Sequence, residues 1–591
     1  MNVLTSFEFT EYNVNEFLIK LIKIYPTYFQ ETNRIKEIFN LFKLEKSNYL
    51  TVIIENNHVD RQYRDSYYSY FSQKYSSFER NCLRLVFFEG TIKYSDFRQK
   101  DISQIQNNSF LGTMVLRPLN VGNIGNTLLN PQKLKISGYV QTCTFKVLVC
   151  GRKLIIKAFP YSSQDNETMT CAETALFNLI QYYSQKYSEY RLLMPNEILQ
   201  IIEQSSSERV LPSEGVDDLC MAKVLQSAHL HPILYHAENE EDTDFDELFY
   251  AYVESGIPFI LGLPEHSVIC IGHGEFDFKI EKHNIGEISK GEDIEGTKMY
   301  YVNTASLVDE YVFMDDNRVP YYISTIDELT VHYFKNTNYT LDNEDLFDDD
   351  MSHTDDDNDF CNCVEYPPEI IQEIKIKHDS LIVPLYKRIF LDASRAKSIF
   401  DLHFLKNIDF IQHIQNSYDD KTWGITFENP LVWRMYLASS NSYKDFKCRY
   451  AINDKTYEYY ANESFPRFVW VLEIGTLATF SNKKARVEIL LDATSSRNSD
   501  TWAILSISYK EHSVFVPFVI ERLRKSEGII DRIIQENNPT GKEYTSHEME
   551  IIGEEVKEKV LTEIFKTLYY SSNNFVGDTF DVYFNSNLKE I

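Results

Sequence analysis

The stretch FPYSSQDNETMTCAETALFNLIQYY, residues 159–183, decides how this chain is read. Phe159-Pro160-Tyr161 closes an apolar run, and Gln164 to Thr170 is polar and turn-like. From Cys171 onward Ala172, Ala175, Leu176, Leu179 and Ile180 recur at three- and four-residue spacing, which predicts a helix. Thr168 or Thr170 is placed to cap its start. Cys171 is therefore expected at, or just inside, a helix N-terminus. Unpaired N–H groups and the positive end of the helix dipole there favour a thiolate, the reactive form of cysteine. Gln164, in the incoming loop, is a candidate donor of an amide N–H toward the same point. A cysteine at a helix start is also commonly a small packed residue. The reading therefore turns on whether a histidine and a carboxylate follow at suitable places.

Outward from this stretch, two apolar runs, 136–149 and 153–159, flank Cys150-Gly151-Arg152 and predict a hairpin leading into it. Downstream, 195–203 and the segment from Val216 through Leu225 read as helices, as does 247–255, which Gly256-Ile257-Pro258 breaks. Phe259 to Leu263 and Ser267 to Ile271 read as buried strands, with His266 at the start of the second. The apolar runs between Met299 and Met314 end in Asp315-Asp316-Asn317. A strand beginning at His266 and an antiparallel neighbour ending at Asp315 would bring those ends together. A carboxylate there would orient the imidazole, the third-group role of a catalytic triad.

The order Gln164, Cys171, His266, Asp315 resembles the papain-like cysteine peptidase superfamily, and most of all the compact bacterial branch that includes bacteriocin-leader-processing peptidases. The resemblance is carried by Gln164…Cys171-Ala172, by Gly256-Ile-Pro-Phe ahead of His266-Ser-Val-Ile-Cys-Ile-Gly272, by Phe313-Met-Asp-Asp316, and by Glu214-Gly215 before a helix through Leu225. It spans residues 135 to 335. Two positions depart from the branch's pattern. Ala172 stands where Gly is frequent, and Asp316 stands where Pro often follows the acid, so the choice between Asp315 and Asp316 is open on residues alone; the resemblance favours Asp315. The resemblance implies an α+β fold with a papain-like core, in which a Cys-bearing helix packs on an antiparallel sheet carrying His and Asp. It also implies a Cys171-His266-Asp315 triad with Gln164 as oxyanion donor, acting on a protein or peptide substrate without metal or cofactor. The same site would serve acyl transfer of the transglutaminase or deamidase kind, or persist in an idle scaffold.

Composition bounds the rest. With 591 residues, several domains are expected. Hydrophobic residues make up 43% of the chain, enough to build real cores. A net charge of −29 repels nucleic-acid phosphate and anionic membrane, and the longest basic cluster, Arg522-Leu523-Arg524-Lys525, is short. Nine cysteines, an odd number in a large chain, suit reduced thiols. The first residues lack a secretory pattern, and no run approaches the ~20 apolar residues that span a bilayer. A cytoplasmic protein is expected.

Segments are expected at 1–134 (α+β), 135–340 (catalytic core), 341–366 (an acidic flexible loop) and 367–591 (α+β, strand-rich). Residues 1–44 read as helical and 51–54 as a strand. Tyr63 to Tyr75 reads as an aromatic-rich helix, 82–88 and 110–118 as strands, and Gly122 to Asn126 as a turn. After 367, strands are expected at 379–385, 468–474, 485–491, 502–508 and 513–518, and helices at 387–404 and 554–569. His229, His231 and His236 frame a helix-to-strand junction without further ligands. Cys361-Asn-Cys363 has unusual zinc spacing, and the acidic run lacks the calcium-loop glycine. Asn538 to Lys542 and His547-Glu548 miss residues their motifs need.

Overall fold

Among the described residues, three large antiparallel-dominated sheets, two two-stranded ribbons and the helices that cover them build a mixed α+β protein. The computed structural model describes residues 3–329 apart from short breaks, among them 207–209, 212–215, 237–241, 280–284 and 289–298. It also describes 380–516 apart from 418–424, 452–453, 496–502 and 510–511, and then 560–565 without 563, 580–581 and 588–591. The acidic run, Cys361, Cys363, Glu214-Gly215, Asn538 to Lys542, His547-Glu548 and most of 554–569 lie outside the described residues.

The chain begins with strand β1 (Val3–Glu8), helices α1 (Glu11–Ile24) and α2 (Thr32–Asn40), and strand β2 (Tyr49–His58). Helix α3 (Arg61–Ser69) and strands β3 (Cys82–Glu89), β4 (Phe110–Leu116) and β5 (Ile124–Leu129) follow. The five strands form an antiparallel meander in chain order. Thr10 starts α1 by accepting the Asn13 N–H, and Asp60 starts α3 by accepting that of Tyr63. Phe17, Leu18 and Leu21 of α1 and Ile35, Ile38 and Phe39 of α2 are buried in one apolar core with β2 to β5, and Phe39 meets the Phe87 ring edge-on at 5.3 Å. Two expectations need correction here. Residues 3–8 are an edge strand paired with β2, a tertiary pairing that overrides the helical pattern which follows them. Of 122–126 only the first two residues turn, because Ile124 already pairs with Leu116.

Next come strands β6 (Tyr139–Gln141), β7 (Cys143–Val149) and β8 (Arg152–Ala158) and helices α4 (Cys171–Lys186), α5 (Pro195–Ser205) and α6 (Asp218–Ser227). Strand β9 (His231–His236), helix α7 (Asp242–Glu254) and strands β10 (Phe259–Leu263) and β11 (His266–His273) follow. Strands β12 (Gly286–Ile288), β13 (Met299–Asn303), β14 (Tyr311–Met314) and β15 (Tyr322–Ser324) complete this half. The β7–β8 hairpin turns at Cys150 (φ 47°) and Gly151 (φ 78°), two successive left-handed residues as a tight hairpin requires.

The last part contains strand β16 (Ser380–Leu385), helices α8 (Ala393–Phe400) and α9 (Ile408–Ser417), strand β17 (Leu431–Ser439), helices α10 (Ser440–Arg449) and α11 (Asp454–Asn462) and strand β18 (Phe468–Thr476). Strands β19 (Lys484–Ala485), β20 (Val487–Asp492), β21 (Ile504–Tyr509), β22 (His512–Phe515), β23 (Phe580–Asp581) and β24 (Leu588–Glu590) end it. The helix expected from 387 begins only at Ala393, where Asp392 caps it by accepting the Arg395 N–H at 3.0 Å. Strand β17 was not anticipated. It is buried along nearly its whole length, so it shows no alternation, and Arg434 interrupts its apolar run.

The sheets do not follow the segment boundaries. The eight-stranded sheet runs β15-β14-β11-β10-β16-β9, with β6 on β11 and β24 on β6. Strand β16, from beyond the acidic run, is thus inserted between β10 and β9. The seven-stranded sheet runs β12-β13-β17-β18-β20-β21-β22, so β12 and β13 belong with the later strands. The two sheets are also linked by charge. At the far end of β11, His273 Nε2 lies 3.3 Å from Glu254, which also lies 3.3 Å from Arg434 of β17, and Arg434 lies 3.2 Å from Glu473 of β18. All four are buried. Burial pushes the Glu254 carboxyl up, but Arg434 and His273 outweigh it and hold it at about 2. No helix among the described residues is long and apolar enough to cross a membrane.

Candidate active site

Cys171 is the first residue of α4. Thr170 caps the helix, and its N–H reaches the Glu173 carboxylate at 3.0 Å, half of a capping box. The cysteine is half-buried, whereas Ala172 to Ile180 behind it are buried against the sheet, where α4 packs on β11. The apolar face that predicts the helix thus also fixes its start at the sheet end where β11 begins.

The loop that delivers Cys171 is organised by Asp165. Its buried carboxylate accepts the main-chain N–H groups of Glu167, Thr168 and Met169 at 3.0, 2.7 and 2.9 Å and the Thr168 hydroxyl at 2.6 Å. The meander grips the same loop from outside. Arg117 donates to the Ser163 carbonyl at 2.6 Å, the Ser163 N–H donates to the Ile124 carbonyl at 2.9 Å, and Gly122 lies against the Gln164–Asp165 backbone. The sequence reading missed Asp165. The available signal was an Asp at the head of a polar turn, a residue type that satisfies nearby main-chain N–H groups.

His266 opens β11, and Asp315 follows the last residue of β14. Its Nε2 lies 3.0 Å from Asp315 Oδ1 and 3.6 Å from Asp316 Oδ1. The pairing of Ile269 with Met314 extends to put Val268 opposite Asp315, so His266, two residues along β11, shares the Asp315 face. A bulge between Cys270 and Gly272 sets this register. Without it the pairing seen at Gly272 and Val312 would continue, placing Asp316 on the histidine's face instead. Asp315 Oδ1 also accepts the Asn317 N–H at 2.9 Å, which fixes the carboxylate.

Burial works against a protonated His266, but hydrogen bonds with Asp315 and Cys171 and the charges of Asp315 and Asp316 outweigh it. The imidazole is held well above its ordinary value. With Nε2 engaged by Asp315, the other ring nitrogen is the one left for the sulfur. Burial raises Asp316 to about 7; the His266 charge opposes this and Asp315 adds to it. Neither Asp316 carboxylate oxygen has a hydrogen-bond partner among the described residues. His266, Asp315 and Asp316 offer three ligand atoms within 4.8 Å of one another, the arrangement a metal ion would need.

Cys171, His266 and Asp315 are thus brought together. Gln164 reaches the same end of the sheet, where its Nε2 donates to Asn317 Oδ1 at 2.8 Å. Beside Asn317 opens a cleft of about 440 Å³ whose walls include Glu31, Arg34 and Glu37 of the first segment, and Arg318. Arg34 donates to the Asp316 main-chain carbonyl at 2.9 Å. The histidines of the 229–236 junction lie apart from this centre, on and just before β9. Comparison with protein-family models, curated proteins and solved structures finds no match to this chain.

Proposed function

We propose that the chain is a cysteine peptidase of the papain-like kind, cleaving a peptide or isopeptide bond in a protein or peptide substrate. The observation that carries this reading is the single imidazole of His266, hydrogen-bonded both to Asp315 and to a cysteine at a helix N-terminus. That is the constellation a thiol nucleophile needs, with a base within reach and a third group orienting the base.

In this mechanism Cys171 Sγ, its proton taken by His266, attacks the carbonyl carbon. The oxyanion is met by a main-chain N–H at the start of α4 and by Gln164, whose amide carries a second N–H besides the one on Asn317. The C–N bond breaks as His266 gives its proton to the leaving amine. His266 then takes a proton from water, hydroxide attacks the thioester, and the acid product and free thiol are released. Asp315 holds the ring orientation and balances the imidazolium charge throughout.

Iodoacetamide labelling resolved by peptide mass spectrometry tests the nucleophile. Cys171 should react well ahead of the other eight cysteines, and Cys171→Ala should abolish processing of a peptide pool. Equal labelling of all cysteines, or full activity in Cys171→Ala, would defeat the reading. The masses of the products separate hydrolysis from amine incorporation or deamidation at the same thioester.

A further inference from the structure

Asp316 is a carboxylate 5% exposed, with both oxygens unpartnered in hydrogen bonding, next to a second carboxylate that is fully buried. Buried polar groups are nearly always satisfied, so such a residue calls for a physical reason. Arg34 does not supply it, since its N–H goes to the Asp316 main-chain oxygen. When both acids ionise, two buried carboxylates face one imidazole, with the Arg34 charge nearby, and the Asp316 oxygens still lack hydrogen-bond partners among the described residues. A divalent cation would balance both.

We propose that His266, Asp315 and Asp316 form a binding site for one divalent transition-metal ion of the zinc class, and that its occupation silences Cys171. The ligand set and its spacing favour this chemistry. Imidazole with carboxylate suits zinc and its neighbours, whereas calcium and magnesium demand all-oxygen shells. Zinc binds nitrogen and oxygen at about 2.0–2.2 Å, so neighbouring ligand atoms of a tetrahedron lie about 3.3–3.5 Å apart. The nitrogen-to-oxygen separations here, 3.0 and 3.6 Å, are within a few tenths of an ångström of that spacing, and all three ligand atoms lie within 4.8 Å of one another. A water would take the fourth position.

The ion and the triad exclude one another. Bound to His266 Nε2, the metal replaces the hydrogen bond that Nε2–H donates to Asp315 and prevents the ring from holding the second proton that thiolate pairing requires. The silencing rests on the peptidase reading; the binding does not.

Calorimetric titration of zinc chloride into the metal-stripped full chain tests the site. One tight equivalent is expected in the wild type. It should be retained in Cys171→Ser and weakened at least roughly a hundredfold in Asp316→Asn, more than the loss of an outer-shell partner costs. Circular dichroism establishes that the variants fold. Cobalt(II), added at one equivalent to the unmutated chain, gives a second readout. Tetrahedral d–d bands without the near-ultraviolet charge transfer of a thiolate ligand are expected. Absence of a stoichiometric site, or a site lost in Cys171→Ser and kept in Asp316→Asn, or a thiolate charge-transfer band, would each overturn the assignment. Iodoacetamide labelling with and without zinc then reads the silencing separately. Slow labelling of Cys171 in the metal-free chain would fault the peptidase reading and leave the metal site standing.

Discussion

Gly122→Ala is the most informative perturbation of this protein, because it strikes the loop that delivers Cys171 from a different part of the fold. Gly122 has φ +67°, and a Cβ built there would lie 2.0 Å from the Gln164 carbonyl oxygen and 2.6 Å from Asp165 Cα. All the atoms it meets are backbone, so no side-chain rotation relieves the clash. Restoring ordinary contact requires the two backbones to separate by about 1 Å or more. The left-handed φ costs a non-glycine residue about 1–2 kcal/mol, and overpacking adds about 1–3 kcal/mol. Gly151→Ala is the matched control. It has φ +78° with nothing within 4 Å of the added Cβ, so it carries the torsional cost alone, the same about 1–2 kcal/mol. Asp165 ties Glu167, Thr168 and Met169 into one unit, so a push on Gln164–Asp165 is transmitted toward Cys171. A misplacement of about 1 Å lowers a catalysed step about 100-fold, and iodoacetamide labelling, which needs less alignment, should fall about tenfold. The assay is Cys171 labelling rate and thermal melting for both variants. Gly122→Ala should label slowly and melt well below Gly151→Ala, which should label like the wild type. If the two variants melt alike and label alike, the grip of the meander on this loop is not what holds Cys171 in place.

Three further outcomes are expected. Asp315→Asn should slow turnover by on the order of 100-fold or more, since the amide favours the wrong tautomer and no longer balances the imidazolium; a loss confined to Asp316→Asn would reassign the orienting acid. Cys171→Ala should leave the melting temperature nearly unchanged, while Cys270→Ala, at a fully buried position in β11, should lower stability by about 1 kcal/mol, as denaturant titration would reveal. Glu254 is held at about 2 in the fold against about 4.3 in an unfolded chain, so it contributes about 3 kcal/mol that is fully present above pH 4.3. That contribution is lost as pH falls from about 4.3 to 2; Glu254→Gln should lower stability at neutral pH and flatten the acid limb of the stability curve, and an unchanged acid limb would contradict the network.

Much of the site was legible because it depends on local chain properties. The α4 periodicity, a threonine cap and the cysteine's position at the helix start follow from short-range rules, and Cys171 and Thr170 stand accordingly. The start of β11 and the end of β14 were likewise readable, since buried strands are apolar runs with abrupt polar ends, and His266 and Asp315 mark them; the far end of β11 at His273 and the start of β14 at Tyr311 were not. Residues whose partners are remote in sequence were not legible. Asp165 reads as an ordinary loop acid until the chain closes around it. Arg434 reads as a break in an apolar run, because the two glutamates that balance it come from α7 and β18.

The choice between adjacent acids shows the division most sharply. Alternation continued past Met314, where β14 ends, would put Asp315 and Asp316 on opposite faces; in the fold both carboxylates approach His266 Nε2, at 3.0 and 3.6 Å. Which acid comes nearer depends on the pairing register of β14 with β11, which the bulge between Cys270 and Gly272 sets. Strand exchange is of the same kind. Nothing local to Ser380–Leu385 distinguishes an edge strand of a later sheet from one inserted between β10 and β9, because a buried strand's composition records that it is covered, not by what. Helix, strand end and the cysteine's place at the helix start were decided by residues near one another in the chain; register, sheet membership and the pairing of buried charge were decided only by the tertiary structure, where the free energy of burial is shared between segments hundreds of residues apart.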